Sequence, residues 1–63
     1  MIKLEYEIYV VTKTGHMYEF ASGITQLTEA LHVLRQTASS IDKGLMPETV
    51  RAELVTVTRT ILS

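Results

Sequence analysis

By residue type, two histidines, His16 and His32, and the glutamate pair Glu5 and Glu7 are the groups of this 63-residue chain best suited to move protons or hold a metal. General acid–base work needs such groups within hydrogen-bond reach of one reacting atom, and a metal centre needs three or four converging ligands. The histidines fall in different segments. His16 follows the turn sequence Thr12-Lys13-Thr14-Gly15, and His32 falls on the polar side of a helical repeat. Both read as solvated surface residues, so no metal site is expected. Glu5 and Glu7 are two apart and share one side of a strand. With Lys3 and Glu19 nearby they read as an acidic surface rather than a hydrolytic pair.

Other chemistries lack their starting materials. Without cysteine there is no thiol nucleophile, and no Gly-x-Ser-x-Gly turn presents a serine. A Gly-x-x-x-x-Gly-Lys phosphate loop is also missing. Ser22-Gly23-Ile24-Thr25 leads into a helix, whose first amides attract anions, but ordinary capping accounts for that segment. A non-enzymatic protein with no cofactor is the expectation.

Binding chemistry is better supplied. Arg51 and Arg59 fall on one face of a proposed last strand, and guanidinium groups recognise phosphate. Salt bridges to Glu5 and Glu7 are the favoured reading of these two residues taken by themselves. Tyr9 offers a ring for stacking and a hydroxyl for hydrogen bonding. Arg59, Arg51 and Tyr9 are therefore the expected ligand-binding residues. Tyr9 also groups with Val11 and Met17 on the outer side of the first two strands, as an apolar patch expected to make an interface.

Composition narrows the partners. Net charge is −1, and the six basic residues are scattered from Lys3 to Arg59, a poor footprint for a non-specific nucleic-acid binder. Apolar stretches are far shorter than the roughly 20 residues that span a bilayer, and the start, Met-Ile-Lys-Leu-Glu, lacks the apolar core of a secretory signal. A cytoplasmic protein without membrane contact is expected. A domain of this length buries only about 60% of its unfolded surface. Small domains compensate with disulfides, metals or oligomerisation, and here homo-oligomerisation, as a dimer or higher, is the route left open.

These residues are positioned by four elements in one domain, 1–63. Ile2, Leu4, Tyr6, Ile8 and Val10 alternate along a strand over about 2–12. Thr12-Lys13-Thr14-Gly15 suits a three-residue hairpin turn with a glycine bulge, followed by a strand over about 16–21. That register sets Val10 against Tyr18, Ile8 against Phe20, Val11 against Met17 and Tyr9 against Glu19. Ala21-Ser22-Gly23 then breaks the strand. Ile24, Leu27, Leu31, Leu34, Ala38, Ile41 and Leu45 recur at alternate spacings of three and four, predicting a helix over about 26–43. Thr25 is the expected N-cap and Gly44 the expected left-handed C-cap.

The last third admits two readings. Val50, Leu54, Val57 and Ile61 carry helical spacing after Pro47-Glu48, a good helix opening. Six of the seven residues from Val55 to Ile61 are β-branched, which favours a strand over about 52–62. The expected fold is thus a small α+β domain of ββαβ order: an antiparallel hairpin plus a C-terminal strand, with one helix on one sheet face. The alternative is ββαα.

In this overall organisation the chain resembles small phage-encoded accessory or anti-defence proteins. The resemblance implies binding rather than catalysis. It also implies two modes of action in the host cytoplasm: sequestering a small signalling nucleotide between subunits, or blocking a larger host protein through an open sheet face or edge.

Overall fold

In the computed structural model, which describes residues 1–62, the elements follow as β1 (Ile2–Thr12), β2 (Met17–Ile24), α1 (Leu27–Asp42) and β3 (Thr49–Thr60). The ββαβ order of a small α+β domain is what the sequence predicts, and the second helix of the alternative does not form. Pro47 instead opens a turn closed by Thr49 N–H to Met46 O at 3.0 Å. Lys13 N–H donates to Glu48 O at 3.0 Å and ties that turn to the hairpin. The β-branched run therefore extends as a strand that begins at Thr49, earlier than expected, and stops at Thr60. Among the described residues no helix is long and apolar enough to cross a membrane.

One antiparallel sheet has the order β2-β1-β3. Its hairpin closes as the turn residues dictate, with Thr12 N–H to His16 O at 2.8 Å and Gly15 N–H to Thr12 O at 3.0 Å. Gly15 sits at φ +87°, where a side chain would be strained. Val10–Tyr18, Tyr9–Glu19 and Val11–Met17 pair as expected, but Ile8 faces Ala21 rather than Phe20. The strand does not break at Ala21. Two register shifts, one at Phe20 between the Tyr9–Glu19 and Ile8–Ala21 pairs and one over Ser22-Gly23, with Gly23 at φ +69°, carry β2 on to an Ile24–Tyr6 pair. Bulges of this kind bend and twist a strand without ending it.

The helix ends in a Schellman arrangement, with Gly44 at φ +76° and its N–H on Ile41 O, and Leu45 N–H on Ser40 O. At the other end Gln26, not Thr25, is the N-cap, and no side chain caps it. The buried arc of α1 also differs from the expected stripe. Ala30 and Thr37 are buried, Val33 and Leu34 are partly so, while Leu27 is 47% exposed and Leu45 more so. The leucine stripe is rotated partly off the sheet, and the small residues Ala30 and Thr37 take the arc that faces it. Ala30 joins Ile8 and Ile24 in the core, with Tyr6, Ala21, Val33, Leu34 and Leu54 around them.

The helix packs chiefly on β3 and β1, which leaves Tyr18 and Phe20 of β2 half-exposed on the same sheet face. It also covers only part of the sheet's length. β2 stops at Ile24, opposite Tyr6, so Ile2–Glu5 and Val57–Thr60 continue as a two-stranded arm with neither β2 beside it nor α1 above it. Met1 closes the arm with its carbonyl accepting from Ile61 N–H at 2.7 Å. Ile2 is 73% exposed there, with Leu4, Ile61 and Leu62 also exposed. The molecule is long and flat: its Cα radius of gyration is 13.2 Å, against about 10.6 Å for a compact domain of this length.

Candidate functional site

Opposite the helix lies an uncovered sheet face built from alternate residues of the three strands. Lys3, Glu5, Glu7, Tyr9 and Val11 come from β1, Met17 and Glu19 from β2, and Arg51, Glu53, Val55, Val57 and Arg59 from β3. The pleat sends them to one side because side chains alternate along each strand. All five residues expected to bind a ligand or form an interface lie on this face.

Their spacing along it separates them into two places. Tyr9 pairs with Glu53 and Val11 with Arg51, so Arg51 is a diagonal neighbour of Tyr9, within reach of long side chains. Arg59 pairs with Lys3 at the arm. At about 3.3 Å per residue, Arg59 stands roughly 27 Å from Arg51 along the strand. Within one subunit, therefore, Arg51 and Tyr9 are brought together and Arg59 is not.

Each arginine has a carboxylate. Arg51 Nε is 3.2 Å from Glu53 Oε1, and Arg59 Nε is 3.3 Å from Glu5 Oε2. The expected pairing with Glu5 is thus present, while Glu53 takes the place expected for Glu7. Both guanidinium groups remain more than half exposed, free to exchange partners with a ligand. Glu5 is the buried member, its side chain only 12% exposed, and Lys3 Nζ holds its other oxygen at 3.0 Å. The hydrogen bond from Lys3, with the charges of Lys3 and Arg59, holds the Glu5 carboxyl below the usual carboxylate range against the opposing effect of burial.

Tyr9 donates its hydroxyl to Glu7 Oε1 at 2.8 Å. That bond, then burial and the negative charges of Glu7 and Glu19, pushes the phenol pKa up. The ring is half-buried and its tip is anchored. Val11, expected to be an exposed member of the patch, is 6% exposed. It lies between Met17 and Arg51 in adjacent strands, whose long side chains screen it. Met17 is half-exposed, so the accessible apolar surface here is Met17 and the flank of Tyr9.

The histidines lie where the sequence places them. His16 Nδ1 is 2.9 Å from Thr14 Oγ1 in the hairpin turn, and His32 is exposed on the helix. Among the described residues no three His, Cys, Asp or Glu side chains cluster as a metal site would require.

A second concavity was not legible in the sequence. Phe20, Val33, Gln36, Thr37, Ser40 and Met46 line an open cleft of about 200 Å³ between α1 and the uncovered part of β2. It arises because the helix sits toward β3, and no residue pattern marks that lateral shift. Its size is below the range typical of small-molecule pockets, roughly 300–1,000 Å³. Compared with known proteins, the chain matches no family model, no curated protein and no solved structure.

Proposed function

We propose that this protein is a non-enzymatic, homo-oligomeric binding protein that sequesters a small anionic ligand, such as a nucleotide, on its open sheet face near a subunit interface. One observation carries the reading: Arg51 and Tyr9 are diagonal neighbours on a sheet face that no element among the described residues covers. A guanidinium beside an aromatic ring suits a phosphate attached to a base. The ligand's phosphate would take Arg51 from Glu53, an exchange between two partly exposed groups. Arg59 would serve the same ligand only from a second copy, since its own subunit holds it at the far end.

Calorimetric titration of the purified protein with a panel of mono-, di- and cyclic nucleotides tests this. Binding that weakens in Arg51→Ala, Tyr9→Ala and Arg59→Ala supports the reading. Binding of every nucleotide that is unchanged in Arg59→Ala removes Arg59 from the site, and no binding of any nucleotide removes the ligand class.

A second reading is favoured by the ion pairs themselves. The face pairs Lys3, Arg51 and Arg59 with Glu5 and Glu53 and carries Glu7 and Glu19 beside them, the mixed charge of a surface that can dock a larger protein. In that case the protein is a module or inhibitor that blocks a host protein in the cytoplasm. A stoichiometric host protein retained by wild type, lost with Met17→Glu, and not displaced by nucleotides would favour this over ligand sequestration.

A further inference from the structure

Two uncovered surfaces of this molecule lie toward opposite ends of one strand edge. The first is the flank of α1. Its Val33–Gln36–Thr37–Ser40 side lies toward β2, where it lines the cleft with Phe20. At 100° per residue the opposite flank, Leu27, Leu31, Leu34 and Ala38, lies toward β3, where Leu27 and Ala38 are exposed. The second is the helix-side face of the arm, with Leu4, Thr58 and Thr60 exposed and nothing above them. Between them runs the outer edge of β3, twelve residues long and paired only on its β1 side. A long exposed edge rich in β-branched residues is a template for another strand.

We propose that a second copy of this chain occupies that edge, with the two β3 strands antiparallel about a twofold axis at Thr56. This rests on the homo-oligomeric part of the proposed function and fixes its geometry. Charge chooses the register. With Thr56 opposite Thr56, Glu53 of each copy faces Arg59 of the other, and Val55 faces Val57. Shifting the axis to Val55 sets Arg51 against Arg59, and shifting it to Glu53 sets that carboxylate against itself. Like charges directly opposite are destabilising and opposite charges favourable.

An axis at Ala52 also matches charges, Arg51 with Glu53, but it leaves both arms bare. The Thr56 axis covers them. α1 overlies β3 from about Thr49 to Thr56, since it begins beside Ile24, opposite Tyr6, and returns to the hairpin end. Reflected through the twofold, the helix of one copy stands beside residues 56–60 of the other. Its leucine flank then lies over Thr58 and Thr60, with Leu4 behind them. Both helices fall on the same side of a continuous six-stranded sheet, because an axis normal to the sheet preserves its faces.

The same register completes the ligand set. Reading across the open face, Tyr9, Glu53 and Arg59 of the second copy fall in one row, with Arg51 beside it. Strands lie about 4.8 Å apart, so the second copy's Arg59 comes roughly 10 Å from Tyr9 instead of the six-residue distance within one chain. Arg59 would bridge its own Glu5 and the other copy's Glu53. An anion entering that row would meet two guanidinium groups and a ring, and would have to displace Glu53 from them beside the carboxylates of Glu19 and Glu7.

Sedimentation of charge variants and a single-cysteine crosslink test the arrangement, the latter clean because the chain has no cysteine. Glu53→Arg and Arg59→Glu should each weaken self-association by roughly tenfold or more, and an equimolar mixture of the two should restore a dimer, each variant supplying the charge the other lacks. Circular dichroism of each variant separates loss of pairing from loss of fold. Oxidised Thr56→Cys should give a covalent dimer, and Ala52→Cys should not. A dimer that crosslinks through Ala52→Cys, or that forms without crosslinking through Thr56→Cys and without rescue in the mixture, overturns this register and leaves the homo-oligomer standing. A wild-type protein that remains monomeric throughout the micromolar range overturns both.

Discussion

Arg59 Nε lies 3.3 Å from Glu5 Oε2, reaching diagonally from β3 to β1 because Lys3, not Glu5, stands directly opposite it. Lys3 reaches the same carboxylate along its own strand at 3.0 Å. One nearly buried carboxylate is therefore held by two cations at the root of an arm that has no hydrophobic cover. The carboxylate ties the two strands of the arm together where no helix does.

This makes the arm sensitive to acid. The Glu5 carboxyl titrates below its unfolded value because Lys3 hydrogen-bonds the charged form and Lys3 and Arg59 attract it. A lowered folded pKa gives stability that is fully present above the unfolded value, about 4.3, and lost as pH falls through the folded one. Wild type should unfold at a higher temperature than Glu5→Gln at neutral pH, and the gap should close in strongly acidic buffer. Thermal melts of both proteins across that range check it; a gap independent of pH would show that Glu5 acts by packing alone.

Tyr9 should show the opposite sign. Its hydroxyl donates to Glu7, which favours the neutral phenol, and burial and the charges of Glu7 and Glu19 add to the shift. A raised folded pKa gives stability present below the unfolded value, about 10, and lost as pH rises through the folded one. Phenolate absorbance should resolve one of the three tyrosines ionising late. Tyr9→Phe should remove that late step and lessen the alkaline loss of stability. If all three tyrosines of wild type ionise together, the Tyr9–Glu7 bond does not persist in solution.

Most of the sheet could be read from residue types because strand faces alternate with period two and Gly15 fixes where the hairpin turns. The register of Val10, Tyr9 and Val11 followed from that single glycine. The two bulges between Tyr6 and Tyr9 did not, since Ala21-Ser22-Gly23 reads locally as a break and only pairing to β1 keeps it in the sheet. The helix was legible as an element and misread as a surface. Periodicity locates an apolar stripe but not the arc that touches the sheet, and Ala30 and Thr37 take that arc because of their small size. The site was half legible. Sharing a face follows from residue parity, whereas the roughly 27 Å between Arg51 and Arg59 follows from strand length, which parity does not carry. Val11's burial depends on the length of its neighbours, Met17 and Arg51, which alternation does not encode.

Among the described residues Ile8 is the one large side chain with no exposure at all, and it joins Ile24 and Ala30 under the helix. Replacing a buried isoleucine with alanine costs about 2–5 kcal/mol. Domains as small as this rarely have more than that in their core. Ile8→Ala should therefore be largely unfolded at concentrations where wild type is folded, and Ile8→Val, at about 0.5–1.5 kcal/mol, should fold with a lower urea midpoint. Leu45→Ala, at an exposed position beyond the helix, should leave the midpoint nearly unchanged. Comparable midpoints for Ile8→Ala and Leu45→Ala would show that the core lies elsewhere.

Thr37 tests the close approach of the helix. It is buried, and its Oγ1 donates to Val33 O at 2.8 Å. That carbonyl lies in the helix interior, where the amide of residue 37 already serves it, so the hydroxyl adds a second bond to an acceptor already in use. Side-chain bonds of this type bend a helix and destabilise it slightly. Thr37→Val keeps the volume, removes the hydroxyl, and leaves no acceptor orphaned. Its stability should match wild type or exceed it by up to about 1 kcal/mol. Ala30→Leu adds bulk where α1 meets the core, away from the cleft that Thr37 lines, and overpacking costs roughly 1–3 kcal/mol. Urea midpoints for the pair separate the two contributions. A loss in Thr37→Val would mean that the hydroxyl itself holds the helix in place; a neutral Ala30→Leu would mean that the helix does not approach the sheet as closely as the burial of Ala30 implies.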